Sequence, residues 1–153
     1  MSEFLAGKSL RKLLKGNKVE RAAAGLPAST AGALFTVSGG RVAITQIVGE
    51  VTTVIQTQAN NTKLTANPTT GTSVDICAVL NISADEVGTL YGISGLQSDA
   101  LIGINAGAVP GQVRDVVVNV GTIDIDCAAT NTGEVAWTLF YIPIDDGASV
   151  TAA

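Results

Sequence analysis

From Leu34 to the C-terminus the chain is cut into short apolar segments, rich in Val, Ile and Thr, by Gly, Asn, Asp and Pro. No stretch sustains apolar residues at helical spacing, so short β-prone runs between turn residues predict an all-β fold. The expected strands are Leu34–Val37, Val42–Val48, Val51–Thr57, Lys63–Ala66, Val74–Leu80, Thr89–Ile93, Leu101–Ile104, Val113–Val120, Thr122–Ala128 and Glu134–Ile142. Breaks fall at Ser38-Gly39-Gly40, Gly49-Glu50, Asn60-Asn61, Asn67-Pro68, Gly95, Pro110-Gly111 and Asn131-Thr132-Gly133. About eight to ten strands in a body of this size fit a jelly-roll-like antiparallel β-sandwich. A chain of 153 residues is long enough to bury one core of its own.

The C-terminal hairpin shows the pattern best. Ile123, Ile125 and Cys127 alternate with Asp124 and Asp126, which makes one strand face apolar and the other acidic. The return strand carries Val135, Trp137, Leu139 and Tyr141 on one side and Ala136, Thr138, Phe140 and Ile142 on the other. A strand apolar on both faces is either central and covered twice, or lies under a subunit interface. The interface is the favoured expectation, with Trp137, Leu139, Phe140 and Tyr141 as its residues; a strand covered by the protein's own loops is the other reading.

Charge divides the chain. Residues 1–24 hold Lys8, Arg11, Lys12, Lys15, Lys18 and Arg21 against Glu3 and Glu20, a local net of +4. The remainder has three basic residues, Arg41, Lys63 and Arg114, against eleven acids, a net of -8. This predicts a basic arm over 1–24, a small-residue linker over 25–33 broken by Gly25 and Pro27, and a sandwich domain over 34–153. Within the arm, Ser9 is placed to cap a short helix through Leu10, Leu13 and Leu14 that Gly16-Asn17 would end. Such a helix is too short to be stable alone, so the arm is expected to order against a partner; a solvated, frayed terminus is the alternative. The candidate partner-binding residues are Lys8, Leu10, Arg11, Lys12, Leu13, Leu14, Lys15, Lys18 and Arg21.

Composition removes whole classes of chemistry. There is no His, hence no Ser-His or Cys-His pairing and no imidazole ligand. Gly7-Lys8-Ser9 lacks the upstream glycine and strand of a phosphate-binding loop, and Gly92-Ile93-Ser94-Gly95 is one residue short of a nucleophile elbow. The dense carboxylates, Asp85-Glu86, Asp124 with Asp126, and Asp145-Asp146, match no calcium-loop spacing and read as solvated faces. No catalytic residue, metal or cofactor is therefore expected. Cys77 and Cys127 read as free, buried thiols. No apolar run is long enough for a membrane span or clean enough for a secretory signal. Nucleic acid is the less favoured partner, because the acidic body repels it and Phe4 is the arm's one aromatic. Only 14% of the residues are charged, against roughly 25% in soluble proteins. So ion-poor a surface suggests subunits that cover one another.

The low-charge, Thr-, Gly- and Ala-rich body, the arm, and the segments Gly25-Leu26-Pro27-Ala28-Ser29-Thr30, Val48–Gln56 and Thr130–Thr138 resemble small virion proteins of tailed bacteriophages. The resemblance implies a capsid cement or decoration protein: a jelly-roll body, self-associated as a trimer, whose arm grips the major capsid protein on a virion assembled in the bacterial cytoplasm. No catalytic residue carries over. A tail-fibre or surface module that binds a receptor or glycan through loops Ser83–Gly88 or Asp99–Gly111 is the alternative.

Overall fold

The computed structural model describes residues 6–105 and 107–153. Among these, one helix, α1 (Gly7–Lys15), precedes twelve strands. They are β1 (Asn17–Gly25), β2 (Ala31–Ser38), β3 (Val42–Thr53), β4 (Asn61–Pro68), β5 (Val74–Asp75), β6 (Leu80–Asn81), β7 (Leu90–Gly92), β8 (Ile102–Ile104), β9 (Val116–Val118), β10 (Gly121–Cys127), β11 (Glu134–Pro143) and β12 (Ser149–Ala152). Two six-stranded sheets result: one in the order β1-β11-β3-β7-β8 with β9 also on β3, the other β12-β2-β10-β4-β5 with β6 also on β4. The core lies between them, where Leu34, Phe35 and Ile123 of one sheet face Ile47, Trp137 and Leu139 of the other. An all-β, two-sheet sandwich with one N-terminal helix is thus the architecture.

The alternation read in the C-terminal hairpin holds as geometry: Ile123, Ile125 and Cys127 are buried in the core, as are Val135, Trp137, Leu139 and Tyr141. Several expectations need correction. Residues 17–25 are not arm but β1, an edge strand paired with β11 from Asn17↔Tyr141 to Gly25↔Glu134. Its sequence, NKVERAAAG, hides this because an edge strand turns few residues inward, here Val19 and Arg21 opposite Leu139 and Trp137. The expected linker likewise runs into β2 at Ala31. The expected strand Val74–Leu80 survives only as two short pairings with β4 that flank buried Ile76 and Cys77. Ser9 lies inside α1, and the N-cap is Ala6, which makes no side-chain capping bond.

The expected turn at Gly49-Glu50 does not exist, and β3 passes straight through it. A Cβ on Gly49 would stand 2.8 Å from two carbons of the Trp137 indole, so this glycine clears space for the ring. The Arg41–Asp145 pair joins the β2–β3 turn to the β11–β12 connection. The Arg41 backbone N–H and Nε donate to Asp145 Oδ2 at 2.7 and 2.9 Å, and Nη2 donates to Oδ1 at 2.8 Å. These bonds hold the Asp145 carboxyl well below the usual carboxylate range.

Gly49→Ala is expected to destabilise the fold by about 1–3 kcal/mol through overpacking, measured as a lowered urea midpoint at unchanged slope; an unaltered midpoint would remove the steric role given to this glycine. The contribution of Asp145, whose pKa is depressed, is fully present above about pH 4 and disappears as pH falls through the lowered folded value. The thermal midpoints of wild type and Asp145→Asn should therefore differ at neutral pH and converge in strong acid. A gap independent of pH contradicts the pairing.

Candidate functional site

Helix α1 is folded the wrong way round for a core element. Leu10, Leu13 and Leu14 lie at i, i+3 and i+4 on one side, and Lys8, Arg11, Lys12 and Lys15 on the other. An amphipathic helix normally turns its apolar stripe inward. Here the leucines are 44%, 70% and 65% exposed, while the half-buried residues of the helix are Arg11 and Lys15. Lys8, Arg11 and Lys12 line a hollow with Gly16, Asn17 and Lys18 at the start of β1. Arg11 and Lys15 turn toward the helix's own chain, Lys8 and Lys12 stay exposed, and the leucines face out.

The helix is nonetheless held in place. Gly16, at φ 90°, ends it and returns its N–H to the Lys12 carbonyl. A side chain at Gly16 would run into the Tyr141 carbonyl, so the glycine lets the chain turn from α1 into β1 against β11. Thr45 Oγ donates to the Lys15 carbonyl at 2.5 Å. Leu13 and Lys12 border a shallow cleft of about 280 Å³ with Tyr141, Ile142 and Pro143. Ile142 of that cleft and Ile144, two residues further along, are exposed, which places apolar residues beside the leucine stripe at this end of the sandwich. Neither stands in the expected partner-binding set, because both lie far from residues 1–24 in sequence.

The expected partner-binding set divides accordingly. Lys8, Leu10, Arg11, Lys12, Leu13, Leu14 and Lys15 come together on α1. Lys18 belongs to β1, paired with Glu20 at 2.7 Å, and with Arg11 lowers the Glu20 pKa. Arg21 is not on the arm's surface but opposite Trp137, its Nε donating to the Ala153 carbonyl at 3.4 Å. The expected interface on β11 is also corrected. Trp137, Leu139 and Tyr141 are 2%, 0% and 6% exposed within the single chain. They are intramolecular core because β11 is central, flanked by β1 and β3. Phe140 alone of that set lies on the outer face, half-buried in register with Lys18 and Gln46. The chain covers part of that face itself: Gln112 accepts nothing there but donates from its backbone to Gln46 Oε1 and from Nε2 to the Ile44 carbonyl.

The carboxylates scatter. Asp85 accepts the Tyr91 hydroxyl at 2.5 Å, and Asp145 is held by Arg41. Asp124 corrects the reading of a solvated face: it is 6% exposed, receives Asn67 Nδ2 at 3.4 Å and leaves Oδ1 without a partner among the described residues. No group of three or more Cys, Asp or Glu among the described residues is arranged to hold a metal ion. Tyr91, the aromatic nearest the expected glycan loops, is buried and stacked on Trp137 with ring centroids 6.2 Å apart, so it offers no sugar platform. A cleft of about 380 Å³ opens between the sheets at Leu26, Pro27 and Leu34 and carries no paired acid and base. No described helix is long and apolar enough to cross a membrane. Phe4 lies outside the described residues.

Comparison with family models, curated proteins and solved structures returns no match.

Cys77 and Cys127 are buried and unbridged, and burial pushes both thiols above their ordinary pKa. Both should resist a thiol reagent in the native protein and react fully in denaturant. Rapid native labelling would contradict the packing of the second sheet.

Proposed function

We propose that this chain is a non-enzymatic virion structural protein of the capsid cement or decoration type, which self-associates and grips the major capsid protein of a phage shell through its N-terminal segment. The single observation carrying this reading is the outward leucine face of α1: a helix with its apolar side in water is a docking element waiting for a surface. Full burial of each leucine contributes about 1.5–3 kcal/mol, and the exposed cations Lys8 and Lys12 add attraction to an acidic neighbour. Repeated on every copy of an oligomer, such grips raise the effective concentration of each further contact, which is how a cement protein stiffens a shell.

The jelly-roll reading of the sandwich belongs with this proposal. What supports it is the chain's passage between sheets: β1, β3 and β11 alternate with β2, β4, β10 and β12. The run β1-β11-β3-β7 faces the run β2-β10-β4-β5, as two interleaved Greek keys require.

The decisive truncation begins at Asn17, since removing residues to 24 would strip β1 from β11. A fragment of residues 17–153 should keep the thermal midpoint of the full chain and lose binding to shells assembled without the protein. Undiminished shell binding by that fragment would overturn the role of α1.

A further inference from the structure

The sandwich has two unlike ends. At one, β11 and β3 meet at Tyr141–Pro143 and Val42–Ile44, and α1 joins beside them. Its exposed apolar residues are Leu10, Leu13, Leu14, Ile142 and Ile144, with Lys8 and Lys12 around them; Asp145, also at this end, is occupied by Arg41. At the other end Glu134 and Val135 meet Thr53 and Val51. The turn before β7 is tied there by Ile55 N–H to the Asp85 carbonyl at 3.0 Å and Gly88 N–H to the Val51 carbonyl at 2.9 Å. That end exposes Val54 at 54% and Val87 at 61%, bordered by Asp85, Glu86 and Glu134. Residues 51–60, 82–90 and 127–136, which carry this end, contain no Lys or Arg. Lys63, on β4, is held by Asp75 at 2.8 Å.

One end is therefore apolar and basic, the other apolar and acidic, and each lacks inside its own chain what the other provides. The two cannot meet within a copy. Tyr141 and Glu134 are seven residues apart on an extended strand, about 24 Å, whereas the nine residues of α1 extend about 13 Å. We infer that copies of this chain associate head to tail, the leucine face of α1 on one copy seated on the Val54–Val87 end of the next. The inference rests on reading α1 as a docking helix, and it assigns the leucine face with Lys8 and Lys12 to a second copy, so that α1 serves shell binding through the multivalency of the assembled copies. A contact between two different patches is heterologous, so it closes into a ring where the rotation allows and otherwise grows as a filament. A ring of three is the closed form that agrees with the trimer the resemblance implies.

Mixing two disabled variants of the full chain tests this. Leu13→Gln with Leu14→Gln removes the donor, and Glu86→Lys with Val87→Lys removes the acceptor; all four positions are exposed, so thermal midpoints should stay at the wild-type value. By sedimentation over a dilution series the wild type should associate, and each variant alone should bind itself roughly 30-fold or more weakly. An equimolar mixture should recover a dimer and nothing larger, because one intact donor then meets one intact acceptor. Isologous pairing would give no such recovery. A monomeric wild type at every concentration, a variant that associates like the wild type, or a mixture that stays monomeric each overturns the inference. The assay needs no shell, so a full-length chain that self-associates but does not bind shells would sink the capsid reading and spare this one.

Discussion

The indole of Trp137, lying over Gly49 and against Tyr91, is the contact on which the rest of the molecule depends. It joins β11, β3 and β7 at the centre of the first sheet, with the two rings 23° from parallel. Aromatic residues are only 4% of the chain, so a single cluster supplies the large buried surfaces that other sandwiches spread over several. The cluster also reaches outward. Desolvation, with the Asp85 hydrogen bond, pushes the Tyr91 hydroxyl far above its ordinary pKa, so it stays a donor. Asp85 is thereby fixed at the head of the turn that carries Glu86 and Val87.

With the inner faces of both sheets filled by their own residues, nothing in the core is left for α1 to cover. Its leucines stand outside because the sandwich is already complete. The edge beside it is protected against indiscriminate pairing: β1 presents the Lys18–Glu20 pair and a bulge between Arg21 and Ala24, both devices that blunt an open strand edge. Association is thus directed away from the strand edges and toward the helix, which is the physical basis for proposing α1 as the grip.

Much of this was legible in the residues. Alternation in β10 and β11 identified their inner faces, because a period of two is unmistakable where apolar and acidic residues interleave. The charge partition and the short leucine helix pointed at α1. What stayed hidden has physical causes. β1 was concealed since an edge strand needs few apolar residues, and Ala22–Ala24 carry no period. Gly49 imitated a turn because a glycine that makes room for an indole and one that bends a chain look alike in sequence. Trp137, Leu139 and Tyr141 suggested an interface because a central strand and a subunit contact both require two apolar faces. The Val54–Val87 end could not be foreseen, as its residues come from separate segments that only the fold brings together.

Amide hydrogen exchange of residues 7–15, followed as the full chain is diluted, reads the central claim most directly, because it asks whether a neighbour covers the helix. If the leucine face is a docking surface, these amides should be more protected in the concentrated, associated protein than once the copies separate, while Ile47 and Leu139 remain equally protected throughout. Equal protection of α1 at every dilution would mean that no neighbour covers the helix, and the claim would fall.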